Sequence, residues 1–534
     1  MNTIKRFLQM AAVAVVCTVF AIDANAMPTK GNMIPDNAVV AVKVSADQIF
    51  NKALGNEMSP VRDYWNMLKS ALSGQLSQFG EIGETAREYL KNPALFGIDI
   101  EEPVVLSASC DLQSFVEENP ACEVYAVALL DDRDAFVNLT DILAAYAGGM
   151  LGAEITKEDL APFYTYYELY KEDDIAVDLA VTAKAAVLRL KVDPTQRYAN
   201  LKASMLNLFL NDGPAKTAGL NDFYAVPSDF AVWMNVDETI DSLMPLLAQE
   251  EPEAAAALLP YVKMYKGSSC LIDLNFMPGK TVLSTRVYGS DELKENMTRF
   301  VDVPSENYLM SMPATSAVVV NLALKNLDIL VNELCAQNAD MQVLFAELVE
   351  EYGFDKALLA GFPGTLTASA QPIIVNDEYD IAAKLCVECD SDVWGYAELY
   401  LDELGENVAP FEYQIDNQLY VRYKRDEAAE IEYNWYFPVV KEFSFAKTEL
   451  ATQIKNGGVV VNLAALPTDL LLALFEDLEE ELGVTFTRQQ ILDFCSSIVY
   501  SLSDDFMGAS VTFNMGDQQH NLLEKALLSI VEAF

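Results

Sequence analysis

The sequence predicts an α+β fold: several related strand–helix modules with mostly antiparallel sheets packed by amphipathic helices. Three observations predict it. The hexapeptide VVVNLA occurs twice, at 318–323 and 459–464. Four segments share one pattern, a Val-rich run, a polar residue and then helical spacing of apolar residues. Between them, strand-like runs follow one another directly, which favours antiparallel pairing over a doubly wound parallel sheet.

The chain is expected to open on a signal peptide, 1–26. Lys5 and Arg6 precede an apolar run that is short for a membrane span, and Ala24 and Ala26 stand in the A-x-A arrangement of a cleavage site. Lipidation at Cys17 is disfavoured, because Val16 is bulky and the apolar run continues through Phe20 and Ile22. No later stretch is apolar enough to span a bilayer, so the mature chain is expected to be exported, in the periplasm or at the cell surface.

The mature part divides by pattern into 27–212, 213–300, 301–450 and 451–534. Each carries one copy of the repeated segment: PDNAVVAVKVSADQIFNKAL, PSDFAVWMNVDETIDSLMPLL, PATSAVVVNLALKNLDILVNEL and IKNGGVVVNLAALPTDLLLALF. The polar residue is Lys43, Asn235, Asn321 and Asn462 in turn. β-Branched runs suit buried strands. Ile240, Leu243, Met244 and Leu247 then follow i, i+3, i+4, i+7, and Ser45, Asp237 and Thr468 are expected N-caps. The copies are spaced at about 190, 90 and 140 residues, too unevenly for a solenoid. The polar residues are expected to end strands or satisfy local backbone groups.

The connecting runs fill in the modules. Val61, Tyr64, Trp65, Leu68, Leu72, Leu76 and Phe79 mark an amphipathic helix. Strands are expected at VVLSAS, EVYAVALL, FYTYYELY, IAVDLAV and AAVLRLKV, with a hairpin turning at Pro278-Gly279. GTLTASAQPI, YDIAAKLCVEC, NQLYVRYKR and EIEYNWYF read as further strands.

The order IPDNAVVAVKV, NPALFGIDIEEPVVLSAS, DFAVWMNVDETI, GSSCLIDLNFMPGKTVLSTRVYG, MPATSAVVVNLALKNLDIL, GFPGTLTASAQP and GASVTFNMGDQQHNLLEKAL resembles an exported Bacteroidota family grouped as a domain of unknown function, many of them lipoproteins. The resemblance covers nearly the whole mature chain. It implies an envelope location and no activity. The chain departs from the family at Gly364-Thr365, where Gly-Asp is usual, and in lacking a well-placed lipidated cysteine.

Composition narrows the chemistry. Eighty acidic residues face 35 basic ones, a net charge of −45. Such a surface repels phosphate backbones, so nucleic acid is a poor partner, while an envelope protein or a glycan fits. His520 is the single histidine, so no His-clustered metal site can form, and no cofactor is expected. Gly279-Lys280-Thr281 imitates a P-loop end, but Leu274 replaces its first glycine. Cys386 and Cys389 have redox spacing within a strand-like run, which separates them. Cys110 and Cys122 flank a loop between two strands and would be bridged if those strands pair. Asp131, Asp132 and Asp134, or Glu172, Asp173 and Asp174, would serve a carboxylate-based glycan hydrolase on paper, but solvated turns are the better reading of both clusters. Tyr164, Tyr166 and Tyr170, with Tyr433 and Trp435, form rows that could stack on sugar rings, though aromatics are favoured in any half-buried sheet and packing there is the better reading. The reading is a non-catalytic exported binding or scaffolding protein; the alternative is the hydrolase.

Overall fold

The computed structural model describes residues 34–111, 121–193, 217–352, 364–387, 411–423 and 443–533, apart from scattered positions within these ranges. The fold is α+β, and every described strand pairing is antiparallel. Among the described residues no helix is long and apolar enough to cross a membrane. The chain forms two compact units, each holding two of the repeated segments. The first comprises 1–277, 285–290 and 520–534, and the second 278–284 and 291–519.

In the first unit the strands are β1 (Val40–Val44), β2 (Val104–Asp111), β3 (Ala121–Leu129), β4 (Thr156–Ala161), β5 (Tyr164–Lys171), β6 (Ile175–Val181), β7 (Ala185–Val192), β8 (Phe230–Asn235) and β9 (Ser269–Met277). They pair in the order β9-β8-β1-β2-β3-β7-β6-β5-β4. Alternation of side chains places Ala41, Val105, Tyr125, Tyr166, Val187, Trp233 and Leu271 in one buried cluster, capped by Leu220 and Phe223. Helix Arg133–Leu151 brings Phe136 and Val137 to a second cluster with Tyr167, Leu179 and Ala186. The closing helix Leu522–Ala533, expected with the last module, instead packs on Ala46–Leu54 and Pro60–Leu76 within the first unit. Asn521 fixes it there: its side chain donates to the Lys52 carbonyl (2.8 Å) and accepts from the Glu524 amide (3.1 Å).

β10 (Lys280–Tyr288) follows β9 through a turn in which Gly279 takes φ +75°, a left-handed conformation that suits glycine. The P-loop imitation is therefore a hairpin turn. The second unit contains β11 (Val301–Asp302), β12 (Val318–Leu324), β13 (Thr365–Val375), β14 (Glu378–Val387), β15 (Phe411–Ile415), β16 (Leu419–Tyr423), β17 (Gly458–Asn462), β18 (Ser497–Leu502) and β19 (Gly508–Asn514). Its main ladder is β14-β13-β12-β17-β18-β19, around a core of Met312, Val319, Phe445, Ile454, Val460 and Val499.

The four repeated segments are β1, β8, β12 and β17, and they pair with each other. β1 lies against β8 with Ala41 opposite Trp233, and β12 against β17 with Val319 opposite Val460. Counted from the shared polar residue, all four of these positions are equivalent, so both units repeat one antiparallel register. The two VVVN sequences are thus directly bonded partners. All four central residues are fully or almost fully buried. In each unit the flanking strands also match in register, with Asn235 opposite Ser269 and Asn462 opposite Ser497.

Of the expected caps, Ser45 stands at the N-cap of Ala46–Leu54, while the other two fall one or two residues away. Asn235, rather than Asp237, is the N-cap of Val236–Glu250 and accepts from the Glu238 amide (3.3 Å). Ser45 makes no cap bond; its hydroxyl donates to the Ser228 carbonyl (2.7 Å). Thr468 is the first helical residue after Pro467.

Candidate functional site

Among the described residues singled out for chemistry, Cys110 and Cys122 come together and the others serve the core, caps and turns. Tyr164 and Tyr166 belong to the buried core, the packing expected for them ahead of stacking on a glycan, and Tyr170 is half-buried beyond a bulge at Glu168/Tyr170. Tyr433, Trp435, Ala24, Ala26, Cys17, Cys389 and Asp173 lie outside the described residues. Asp132 accepts from the amides of Asp134 and Ala135 (both 3.0 Å) and so starts a helix, while Asp134 pairs with Arg133 in solvent. Glu172 donates its amide to the Ile175 carbonyl in a turn. These acids cap and turn the chain. Cys386 is buried in β14 beside the Ser311 hydroxyl (3.5 Å), and Cys110 stands directly opposite Cys122. His520 precedes the closing helix.

Among the described residues lies a buried polar cluster that the sequence did not announce. Arg189 of β7 reaches Glu123 of β3 (3.0 Å) and Asp178 of β6 (3.2 Å), all three almost fully buried. Tyr125 donates to Glu123 (3.1 Å) and Tyr166 to Asp178 (2.5 Å). Burial pushes both carboxyls up, with Arg189 pulling them back down, and pushes the Tyr125 hydroxyl up to about 12. Both carboxylates are thus occupied by a guanidinium and a phenol. Removing one partner of such a pair costs about 3–5 kcal/mol, so the cluster acts as a register pin for adjacent strands.

A shallow cavity of about 310 Å³ lies between helix Arg133–Leu151 and the edge strand β4. Its polar groups are satisfied internally: Asp141 accepts from Lys157 (2.7 Å) and from the Tyr167 hydroxyl (2.9 Å). Among the described residues no group of His, Cys, Asp or Glu could hold a metal ion.

What does face solvent is apolar helix surface. In the first unit Tyr64, Met67 and Leu72 are exposed on Pro60–Leu76, and Ile142, Leu143 and Tyr146 on Arg133–Leu151. The clearest case is the helix pair Leu327–Gln337 and Ala339–Tyr352 of the second unit. Leu334, Val343 and Leu344 are exposed there, Val343 to 56 %. Val343, Glu347 and Glu350 fall at i, i+4, i+7 on one helix face, and both glutamates are exposed. From 327 to 352 there is no Lys or Arg, against six Asp and Glu. The signal was legible as apolar residues spread wider than one core-facing stripe.

The chain matches no family model, no curated protein and no solved structure, and the surface is read from its own chemistry.

Proposed function

We propose that the protein is a non-catalytic, exported cell-envelope binding or scaffolding protein, built of four related strand–helix modules. Its helical faces take up a cationic amphipathic segment of a partner protein. The observation that carries this reading is the helix pair 327–352, which presents Leu334, Val343 and Leu344 among acidic side chains with no basic residue between its ends. Exposed apolar groups favour an apolar partner face, and the surrounding carboxylates favour one rimmed with Lys and Arg. The same acidic field repels a second copy of this chain. Support for a glycan weakens because Tyr164 and Tyr166 are core residues. The described carboxylate pair Glu123 and Asp178, locked on Arg189, has the character of a structural pair rather than of a hydrolase acid and base.

The test is binding of a fluorescent amphipathic Lys/Leu helical peptide to the full chain. Saturable binding is expected, weakened about tenfold or more in the double variant Val343→Ser/Leu344→Ser and further by salt. Equal affinity in the variant would overturn this surface, and selective capture of a glycan instead would overturn the partner class.

A further inference from the structure

The β2–β3 hairpin brings two thiols together. Cys110 and Cys122 are direct register partners one pair from the end of the ladder. Residues directly opposite in an antiparallel pair have Cα atoms about 4.5–5.5 Å apart, inside the range of about 4.4–6.8 Å that a disulfide spans. Both are free thiols and half-buried, so each keeps a path to solvent. The two thiols influence each other across the ladder: sharing a proton holds Cys110 down to about 7 and pushes Cys122 up. The other described cysteines are placed differently. Cys270 faces Met234 and Cys386 faces Thr367, while the Cys335 and Cys495 thiols meet the carbonyls of Met341 and Ser497.

We propose that Cys110 and Cys122 form an oxidisable dithiol that staples the β2–β3 hairpin by exchange with a low-molecular-weight disulfide. Cys110, as thiolate, attacks one sulfur of the incoming disulfide; that S–S bond breaks and one thiolate leaves. Cys122 then attacks the Cys110 sulfur of the mixed disulfide, its proton passing to the departing thiolate. The Cys110–Cys122 bond forms and the second thiol leaves. The protein dithiol loses two electrons and the incoming disulfide gains them, giving two small thiols. The bond closes the thirteen residues from Cys110 to Cys122 into a ring and restricts the unfolded chain. Oxidation converts a hairpin held by its ladder alone into one that cannot open at that end.

The experiment treats the full chain with oxidised glutathione at mildly alkaline pH and reads intact mass and a peptide map. The expected product has lost two hydrogens, carries a Cys110–Cys122 link, melts several degrees higher and reverts with a reductant. In Cys122→Ser the first step stalls, so one glutathione is expected on Cys110. Cys110→Ser likewise leaves a single thiol in the hairpin and is expected to stop at one glutathione on Cys122. An unchanged dithiol, a link mapped to other cysteines, or an unmodified Cys110 in Cys122→Ser would overturn the proposal.

Discussion

Two buried lysines show how a single residue sets a pH response. Lys43 donates to the carbonyls of Phe223 (2.7 Å) and Val226 (2.5 Å), and Lys384 donates to the Ser311 carbonyl. Burial lowers each from 10.5 to about 8, with Asp273 pulling Lys43 partly back up. The folded chain therefore sheds these protons near pH 8, whereas the unfolded chain keeps them to about 10.4. Between those values the unfolded state binds more protons, so stability rises with pH; below pH 8 both states are protonated and the contribution is flat. Denaturant unfolding from about pH 8 to about pH 10 is expected to show this rise, with a smaller slope in Lys43→Met. The Cys110–Cys122 pair and the buried tyrosines also titrate differently in the folded state, so only the difference between wild type and Lys43→Met isolates the lysine. An identical slope in the variant would remove Lys43 from the account. Lys43 was legible as a polar residue at a repeated offset. Its burial was not, because the carbonyls it meets come from a helix 180 residues away.

At the scale of the element, the repeated segment keeps its backbone and changes its polar residue's work. Asn321 is buried within β12; it accepts from the Thr367 hydroxyl (2.8 Å) and donates to the Ile454 carbonyl (3.3 Å). Asn462 ends β17 half-exposed and makes no side-chain cap bond. Asn321→Ala strands two buried groups and is expected to cost about 1–3 kcal/mol. Asn462→Ala is expected to stay within about 0.5 kcal/mol. Chemical denaturation of the two variants checks this, and equal losses would show that the repeat is functionally uniform. The expected strands at 104–109, 123–130, 163–170, 175–181 and 185–192 formed within a residue or two at their described positions, because alternating or continuous apolar runs carry their own signal. β4 was missed: Lys157, Glu158 and Asp159 give an edge strand no apolar period, and charge there suits an edge. Helix Pro60–Leu76 was legible as amphipathic, yet Tyr64 and Leu72 of its stripe face solvent. Periodicity reports which residues share a face, not what covers that face.

Across the whole molecule the dominant quantity is the net charge of −45. Like charges repel in the compact state and relax when the chain expands. Raising salt from about 0.01 M to about 1 M shortens the screening length from about 30 Å to about 3 Å. The melting temperature is therefore expected to rise over that range, read by calorimetry, while binding of a cationic segment weakens. A melting temperature that falls instead would show that attractive surface pairs outweigh the repulsion.

Composition and pattern by themselves determined the α+β class, the antiparallel bias, the four repeated segments and the acidic field, because each is a local or summed property of the chain. Only the tertiary structure decided that the repeats pair with one another in a shared register, that Tyr164 and Tyr166 are core, and that Arg189 joins Glu123 to Asp178. It also set Cys110 against Cys122 and left Val343 and Leu344 facing water. These outcomes depend on which strand lies beside which and what covers each face. Long-range pairing fixes both, and no short window of sequence contains it.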